Sequence, residues 1–401
     1  MKTTIKAIAF YLPQYHPTPE NDEWWGKGFT EWTNVTKAKP LFPGHYQPHL
    51  PADLGFYDLR VPEVREHQAD LAKQYGIEGF CYYHYWFNGQ RILERPVNDI
   101  LESGQPDLPF CLCWANENWT RTWSGGDKDV LLGQNYSDED DLAHIRSLLP
   151  AFSDPRYIKV DGKPLFLVYR TELLPNPEKT AQIWREEAHK QGVGELYLVR
   201  VESFIGNTDP LTIGFDAAVE FATDWRNKGS VLSDNAVLTW LAKFKLFPKA
   251  LINNMILDYD DLATAMMAKP IASYLRFPCV TPCWDNSARR KTDAAVFINS
   301  TPDKYEEWLA DAIQKPIVSK GDGQKIVFIN AWNEWAEGNH LEPDQKWGHA
   351  YLQATLNALS DPFKKRNDIR KQPHPIAKIN AFYSDYIAWR VERISKLLFK
   401  N

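Results

Sequence analysis

The stretch Lys325-Ile-Val-Phe-Ile-Asn-Ala-Trp-Asn-Glu-Trp-Ala-Glu-Gly338 decides how the rest of the chain is interpreted. Its first five residues form a short, β-branched run without polar alternation, as expected of a strand that is covered on both faces in a parallel sheet. Glu334 and Glu337 follow at the point where that strand should end, beside Trp332 and Trp335. Because buried carboxylates need a partner or a chemical purpose, we interpret this stretch as a strand that leads into a catalytic centre.

Cleavage of a glycosidic bond would give such a pair of carboxyl groups a purpose. The reaction needs one carboxyl group to protonate the leaving oxygen and another to act as a base or nucleophile, and aromatic faces hold the sugar rings. We therefore predict that Glu334 and Glu337 are catalytic and that Asn333 and Trp335 contact the substrate. A structural alternative is that Asn333 and Glu334 cap a following helix, with Glu337 in its first turn.

Seven further short apolar runs are similar to this one, and helical patterns separate most of them. The eight predicted strands are 6–12, 77–86, 108–114, 164–169, 196–202, 215–221, 278–284 and 326–329. The predicted helices include 62–75, 91–103, 138–149, 179–191 and 305–314. This alternation indicates an α/β fold of the (β/α)8 TIM barrel type. The turn Pro13-Gln-Tyr-His16 lacks the glycines that a doubly wound, nucleotide-binding sheet requires after its first strand.

The carboxyl ends of the strands should form the active-site face, because the sites of TIM barrels lie there. Polar or aromatic side chains follow nearly every predicted strand. Those that we predict to bind the substrate are Tyr15, His16, Tyr85, Trp86, Asn116, Glu117, Glu202, Glu220, Trp284 and Asp285, together with Trp25 and Trp119 from the loops. Such an aromatic, acidic bowl would suit an oligosaccharide or polysaccharide substrate.

The composition favours the same interpretation. Aromatic residues make up 13% of the chain and include 16 tryptophans, which is a high share for a globular protein. Aromatic platforms in a carbohydrate site would account for part of this excess, and rings that fill a large core would account for the rest. The formal charge of −6 argues against a nucleic-acid partner as the main role.

The five cysteines are an odd number, and each lies in or beside an apolar run, which is typical of free thiols in a reducing compartment. Cys111 and Cys113 lack further candidate ligands, so we expect no metal site and no cofactor. The apolar run at the N-terminus is too short for a signal peptide, and no stretch approaches the roughly 18 apolar residues of a membrane span. We therefore expect a cytoplasmic protein.

Residues 1–360 are predicted to form the catalytic barrel, with a long insertion between the sixth and seventh strands at about 225–277. Residues 361–401 are predicted to form a basic, helical C-terminal extension, because apolar side chains recur there at helical spacing. This helix would either pack on the barrel or contact a membrane surface or a partner protein.

Five motifs resemble those of the WbsX-type proteins, which are commonly named glycosyltransferases of lipopolysaccharide or O-antigen synthesis. The motifs are Ala9-Phe-Tyr-Leu-Pro-Gln-Tyr-His16, Trp24-Trp-Gly-Lys-Gly-Phe-Thr-Glu-Trp-Thr-Asn34, Tyr82-Tyr-His-Tyr-Trp86, Cys113-Trp-Ala-Asn-Glu-Asn-Trp119 and Asn330-Ala-Trp-Asn-Glu-Trp-Ala-Glu-Gly338. The chain is also similar to the endo-α-mannosidase and endo-α-mannanase glycoside hydrolases. The resemblance extends over about residues 5 to 360 and implies a (β/α)8 barrel with a retaining, hydrolase-like site.

The endo-mannosidase group has an Asn-Glu-Trp-x-Glu motif that carries both catalytic carboxyl groups, and here the motif falls on Glu334 and Glu337. The resemblance implies that Glu334 acts as a base toward the 2-hydroxyl of the sugar, which attacks the anomeric carbon. It also implies that Glu337 serves first as a general acid and then as a base. Burial beside Trp332 and Trp335 should raise the pKa of one of the two carboxyl groups.

Two other functions stay open. A glycosyltransferase that uses a nucleotide sugar usually offers an Asp-x-Asp metal site, and the candidates are residues 138–140 and 258–260. Both fit solvated or helix-capping acids better. The other function is that of a barrel that binds glycan without cleaving it.

Overall fold

A parallel β-sheet forms the centre of the molecule, as the sequence predicts. The computed structural model describes residues 5–42, 44–121, 126–204, 206, 208–231, 249–290, 292–315 and 325–366. The strands of this sheet are β1 (Ile5–Tyr11), β2 (Ile77–Phe87), β3 (Phe110–Trp114), β4 (Lys163–Val168), β5 (Tyr197–Glu202), β6 (Ala217–Glu220), β7 (Arg276–Phe277 and Cys279–Val280) and β8 (Lys325–Ile329). Each of the eight predicted strands has its counterpart among them.

The sheet closes into a barrel. Neighbouring strands pair in parallel in the order β1 to β8, and β8 returns to pair with β1. The seam lies at β7, where residues 276–277 pair with β6 and residues 279–280 pair with β8. Pro278 between them has no N–H to donate, but its carbonyl accepts the Phe328 N–H at 2.8 Å. The (β/α)8 fold class is therefore confirmed.

The seventh strand begins and ends earlier than the sequence predicts. Its last residue is Val280 rather than Trp284. Pro282 explains the early end, because a proline cannot donate a hydrogen bond to a neighbouring strand. The Thr281 hydroxyl instead donates to the Cys283 carbonyl at 2.8 Å, and the chain leaves the sheet at this point.

Helices lie in the connections between the strands. They are α1 (Pro19–Trp25), α2 (Glu31–Lys37), α3 (Pro62–Gln74), α4 (Arg95–Ser103), α5 (Asp138–Phe152), α6 (Pro177–Lys190), α7 (Tyr259–Met267), α8 (Pro302–Gln314) and α9 (Ala350–Ser360). Helix α6 begins with a capping side chain and a proline, since Asn176 accepts the Lys179 N–H at 3.0 Å. The inward faces of α6 and α8 bury Trp184 and Trp308.

Short additional strands occur in the loops. They are Gln90–Ile92 against β2, Trp119–Arg121 against Gly126–Leu132, Lys159–Val160 against β4, and Asn333–Glu334 against Asn339–His340. The first of these changes a predicted boundary. Because residues 90–92 are paired with β2, helix α4 begins at Arg95 rather than at residue 91.

The insertion between β6 and β7 is partly described. It contains the 3-10 turn Lys249–Leu251, the strand Met255–Asp258 and helix α7, and this strand pairs in parallel with Ala295–Ile298. From residue 367 onward the predicted C-terminal extension lies outside the described residues. No helix within the described ranges has both the length and the apolar character that crossing a bilayer requires.

Aromatic side chains fill the barrel interior. Phe10 of β1 packs against Phe328 of β8, with 5.5 Å between the ring centroids, and stacks on Tyr83 of β2 at 5.6 Å. It also meets Phe221, which follows β6, at 5.9 Å. Since β1 and β6 are not neighbours in the sheet, this last contact crosses the interior. Core filling therefore accounts for part of the aromatic excess.

Gly79 in β2 lies against the chain that enters β3, where a Cβ atom would be 2.2 Å from the Pro109 carbonyl oxygen. Because this backbone cannot move aside as a flexible side chain can, we expect Gly79→Ala to lower the free energy of unfolding by about 3 kcal/mol or more. Urea unfolding followed by circular dichroism measures the loss. Gly133→Ala is the control, since a Cβ there would have its nearest neighbour at 3.7 Å. Equal losses in the two variants would contradict the steric explanation.

Candidate active site

Glu334 and Glu337 lie on one hairpin at the carboxyl end of β8. Its strands Asn333–Glu334 and Asn339–His340 are antiparallel, and the 3-10 turn Trp335–Glu337 joins them. The Glu334 side chain makes no capping hydrogen bond within the described chain. The structural alternative therefore gives the positions correctly, since Glu334 precedes the 3-10 turn and Glu337 lies in it, but the capping hydrogen bond that it predicts for Glu334 is not found.

A single arginine connects the two carboxyl groups. The Arg289 guanidinium donates to Glu337 Oε1 at 2.5 Å and to Glu334 Oε2 at 2.9 Å. Its third partner is Glu31, a fully buried residue of α2, whose Oε2 lies 3.1 Å from Arg289 Nε. Because one planar guanidinium contacts both Glu334 and Glu337, it sets their separation and relative orientation. These four side chains are called the Arg289 cluster below.

The Arg289 cluster contains more acidic than basic groups. Three carboxylates around one guanidinium would leave two uncompensated negative charges if all were ionised. Burial raises the pKa of Glu334 to about 8, with Arg289 opposing this rise and Glu337 adding to it. Burial likewise raises the pKa of Glu337. The expected rise in one pKa is thus found at both residues, and the pair retains a proton near neutral pH.

Tyrosines lie close to the Arg289 cluster. Tyr15 donates its hydroxyl group to the carbonyl of Asn333. Burial raises the pKa values of Tyr83 and Tyr85, and the charge of Glu334 adds to both shifts. These phenols therefore stay neutral, in the form that donates a hydrogen bond to a sugar hydroxyl.

A cavity of about 490 Å³ is lined in part by Arg290, the residue that follows Arg289, and no side chain of the Arg289 cluster itself lines it. Its wall includes three residues that the sequence predicts to bind substrate, namely Trp25, Glu117 and Trp119. Burial raises the pKa of Glu337 and the charge of Arg290 opposes this rise, so Arg290 is the residue that relates the cavity to the carboxyl pair. Arg170 forms an ion pair with Glu117 in the same wall. Aromatic faces and charged groups together match the needs of a sugar site.

Two predicted substrate-binding residues join the ends of neighbouring strands. Asn333 accepts the Leu12 N–H at 2.7 Å and donates to the Leu12 carbonyl at 3.0 Å, which ties β8 to β1. Asn116 makes the same two bonds to Arg170, each at 2.8 Å, which ties β3 to β4. The side-chain amides of Asn333 and Asn116 are thus hydrogen-bonded to the backbone. The contact of these two residues with substrate stays a prediction.

Three more predicted residues are anchored within the protein. Trp86 donates its indole N–H to the Asp140 carboxylate at 3.0 Å. Trp335 donates its indole N–H to Glu342 Oε2 at 2.6 Å. His16 is buried, and burial lowers its pKa to about 4. None of the three lines the 490 Å³ cavity, so their contact with substrate also stays a prediction.

Glu202 and Glu220 belong to a different ion-pair network. Arg276 lies 3.6 Å from Glu202 Oε2 and 3.1 Å from Glu220 Oε1. Lys269 adds a contact of 3.3 Å to Glu220, and Tyr274 donates its hydroxyl to Glu202. The described contacts therefore do not bring these two carboxyl groups to the Arg289 cluster.

Trp284 and Asp285 lie on a second cavity, of about 560 Å³. Asp285 Oδ2 is 2.6 Å from His45 Nε2 and accepts a hydrogen bond from Gln47 Nε2 at 2.7 Å. The Asp285 N–H donates to the Glu337 carbonyl at 2.6 Å. This cavity therefore adjoins the hairpin of the Arg289 cluster, and its wall also contains His49, His340 and Asp344.

The two Asp-x-Asp segments are engaged in other contacts. Asp138 pairs with Lys179 at 2.5 Å in the first turn of α5. Asp258 caps α7 by accepting the Asp260 N–H at 2.8 Å. Asp138 and Asp258 therefore fit the interpretation as a solvated and a helix-capping acid. Asp140 and Asp260 do not, because both are buried, Asp140 accepting the Trp86 indole N–H and Asp260 pairing with Lys304 at 2.9 Å.

Sequence reasoning missed Arg289 and Glu31. Arg289 lies 45 residues from Glu334 and 258 residues from Glu31, so no local spacing connects them. Glu31 does fall within the motif at 24–34 that carries the family resemblance, and this was the available signal.

Comparisons with known proteins identify the family and the fold of the chain. A family model described as Glycosyltransferase WbsX matches residues 7–355. The protein WxcX of Xanthomonas campestris pv. campestris, from strains ATCC 33913 and B100, is 44% identical over 380 residues. The match covers 95% of this chain and 53% of WxcX, so the chain spans about half the length of these curated relatives.

Solved structures with a similar fold include glycoside hydrolases. The GH99 endo-α-mannosidase from Bacteroides thetaiotaomicron has a TM-score of 0.55 at 14% identity, covering 89% of this chain and 97% of that chain. A glycoside hydrolase-like protein has a TM-score of 0.55 at 13% identity, covering 90% and 95%. At these identities the likeness concerns the fold.

The raised pKa of Glu334 makes the stability of the protein depend on pH. Between its ordinary pKa of 4.5 and its folded-state value of about 8, the folded protein holds a proton that the unfolded chain releases. The free energy of unfolding should therefore fall as the pH rises through this window. We expect Glu334→Gln to reduce that slope by up to about 1.4 kcal/mol per pH unit. Urea unfolding at a series of pH values measures the slope.

Glu187→Gln is the matched control for this measurement. A hydrogen bond from Arg146 lowers the pKa of Glu187 below its ordinary 4.5, so its contribution to stability is lost only in acid. The slope between about pH 5 and 8 should not change in this variant. If Glu334→Gln and the wild-type protein had equal slopes, the pKa of Glu334 would not be raised.

Proposed function

The chain belongs to the family described as Glycosyltransferase WbsX, and from this premise we propose that it is a carbohydrate-active enzyme that cleaves or transfers glycosidic bonds in a bacterial polysaccharide. Glu334 and Glu337 would carry the reaction. The fold that the chain shares with an endo-α-mannosidase supports this class of chemistry.

One observation carries the proposal: the Arg289 guanidinium holds Glu334 and Glu337 together, and the next residue, Arg290, lines a cavity with aromatic walls. A buried ion pair that serves stability alone needs one carboxylate for one arginine, and each further buried carboxylate costs free energy. Clusters with strongly shifted pKa values occur mainly where chemistry requires them. The carboxyl end of β8 is also where TIM-barrel enzymes place catalytic groups.

The proposed roles use the proton that the pair retains. In the unliganded protein burial favours this proton on Glu334, whose pKa it raises to about 8, so the reaction starts once the proton has passed to Glu337. Glu337 gives it to the leaving glycosidic oxygen, while Glu334, now ionised, accepts the proton of the 2-hydroxyl as that oxygen bonds to the anomeric carbon. Water then attacks the anomeric carbon, and Glu337 takes a proton from it. Glu334 returns its proton to the 2-oxygen as the three-membered ring opens. An acceptor hydroxyl in place of water would give transfer instead of hydrolysis.

Arg289 would act as a positioning residue in this scheme. Its charge opposes the effect of burial on the pKa of Glu334, and so favours the ionised base that the first step needs. Its two contacts keep the acid and the base on one side of the hairpin in a fixed relation. Such fixed geometry replaces the reorganisation that water would require.

The family description also favours a second candidate, a glycosyltransferase that uses a nucleotide sugar. Thermal unfolding with a panel of nucleotide sugars and Mg²⁺ or Mn²⁺ tests it, because a ligand of the folded state raises the melting temperature. A rise with a nucleotide sugar and none with oligosaccharides would support this candidate. Oligosaccharide binding without any turnover would instead support a glycan-binding barrel.

We expect Glu337→Gln to lose activity mainly on glycosides with poor leaving groups, because the amide cannot supply a proton. We choose manno-configured oligosaccharides because the protein of similar fold is an endo-α-mannosidase. On these substrates kcat/KM should fall by about a hundredfold to ten-thousandfold. On an aryl mannoside whose phenolate leaves without protonation, the fall should be much smaller. Steady-state kinetics on both substrates measures the difference.

Glu306→Gln is the control for these kinetics. Glu306 is a half-buried glutamate of α8 that pairs with Arg366 at 2.7 Å and accepts a hydrogen bond from Asn357 at 3.0 Å, neither of which belongs to the Arg289 cluster. This variant should retain activity on both substrates. A loss in Glu337→Gln that is equal on the oligosaccharide and on the aryl mannoside would argue against Glu337 as the acid.

A further inference from the structure

Three buried side chains with metal-binding atoms converge at the second cavity. His49, His340 and Asp344 each offer one such atom, and the three atoms lie within 4.8 Å of one another. All three residues are buried and line the 560 Å³ cavity. In the part of the chain that the structure describes, this is the one group of three His, Cys, Asp or Glu side chains with such spacing.

The hydrogen bonds of His340 orient its ring for metal binding. His340 Nδ1 lies 2.9 Å from the Glu342 carbonyl oxygen, which can only accept, so Nδ1 carries the proton. Nε2 therefore presents a lone pair, and it lies 3.0 Å from His49 Nδ1. A histidine that donates one ring N–H to a backbone carbonyl and presents the other nitrogen is the usual arrangement of a metal ligand.

The backbone orients Asp344 in a similar way. Its Oδ1 accepts the N–H groups of Lys346 at 3.0 Å and of Trp347 at 2.6 Å. The other oxygen, Oδ2, is turned toward His340 Nε2, at 3.9 Å. One carboxylate oxygen is thus used to hold the loop, and the second faces the two imidazoles.

A second pair of buried histidines serves as a comparison for His49 and His340, because it has the same spacing but no neighbouring carboxylate ligand within the described ranges. His84 Nε2 and His144 Nε2 are also 3.0 Å apart, and both residues are buried. Rings pack on His144, including Trp86 at a centroid distance of 4.9 Å. The described residues supply no carboxylate that completes a three-ligand group there. This pair is therefore a contact within the core and a matched comparison.

We propose that His49 Nδ1, His340 Nε2 and Asp344 Oδ2 bind a divalent transition-metal ion, with Zn²⁺ as the best match. Two imidazole nitrogens and one carboxylate oxygen form the donor set of three-ligand zinc sites, which keep a fourth position for water. Tetrahedral ligands at about 2.0 Å from the ion lie about 3.3 Å apart. The separations of 3.0 and 3.9 Å lie on either side of that value, and the cavity has room for the water.

The ion would join two segments at the active-site face. His49 belongs to the loop that meets residues 343–345 through hydrogen bonds of 2.9 Å from Ala52 N–H to the Pro343 carbonyl and from Gln345 N–H to the Leu50 carbonyl. His340 belongs to the hairpin that carries Glu334. The metal would therefore fix the hairpin in position, and it uses none of the cysteines that the sequence analysis considered.

Metal content and affinity test this assignment without any activity measurement. Untagged protein is stripped with a chelator, reloaded with ZnSO₄, and examined by elemental mass spectrometry, calorimetry and thermal unfolding. We expect about one Zn²⁺ per chain and a higher melting temperature on loading. Asp344→Asn can keep both backbone hydrogen bonds through Oδ1 but weakens the metal ligand, and we expect at least about a hundredfold lower affinity. His49→Gln should have the same effect.

His84→Gln is the matched control, because it changes a buried histidine pair of equal spacing and should still bind one Zn²⁺ per chain. The proposal is overturned if the folded wild-type chain binds no Zn²⁺. It is also overturned if Asp344→Asn and His49→Gln keep wild-type stoichiometry and affinity, since the ion would then lie elsewhere. Tighter binding of Mg²⁺ or Ca²⁺ than of Zn²⁺ would contradict a site based on imidazole. None of these results depends on the chemistry proposed for Glu334 and Glu337.

Discussion

The active-site face depends on the contact of Arg289 with three glutamates, of which Glu31 and Glu334 are buried and Glu337 is half-buried. Removing the guanidinium would leave Glu31, Glu334 and Glu337 facing one another without compensation, and breaking such a buried pair typically costs about 3–5 kcal/mol. The cluster brings together α2, the loop after β7 and the hairpin after β8. A single side chain therefore contacts three segments, and its charge opposes the rise that burial causes in the pKa values of Glu334 and Glu337.

A second buried carboxylate, that of Glu342, also supports the hairpin that carries Glu334 and Glu337. Glu342 accepts hydrogen bonds from Tyr57 at 2.8 Å, from Gln68 at 2.6 Å and from the indole of Trp335 at 2.6 Å. Burial raises its pKa to about 7, although neutral donors surround it. In contrast to the Arg289 cluster, this carboxylate contacts no cation among these three partners. Its hydrogen bond from the indole orients Trp335, which directly follows Glu334 in the sequence.

The sequence allowed the fold and the carboxyl pair to be predicted because both depend on short-range patterns. Apolar runs identify the eight strands, and Glu334 and Glu337 lie three residues apart. Which residues at a strand end lie near the carboxyl pair is harder to predict, because successive residues of a strand face opposite sides of the sheet. Burial raises the pKa of Tyr85 and the nearby charge of Glu334 adds to this rise, whereas the next residue, Trp86, donates a hydrogen bond to Asp140 of α5. A rule that picks out strand ends cannot tell which face each side chain takes.

The positions of the other site residues depend on contacts between residues that are distant in the sequence. These contacts explain why many polar side chains at the strand ends form hydrogen bonds within the protein. A hairpin of two residue pairs is not stable alone, yet the proposed reaction tolerates little displacement of its two carboxyl groups. External anchors must therefore hold it: Tyr15 at the Asn333 carbonyl, Asp285 at the Glu337 carbonyl, and Asn333 on Leu12. These anchors come from the chain that directly follows β1 and from the loop after β7. Several residues that the sequence predicts to bind sugar therefore also hold the hairpin in a fixed position on the barrel.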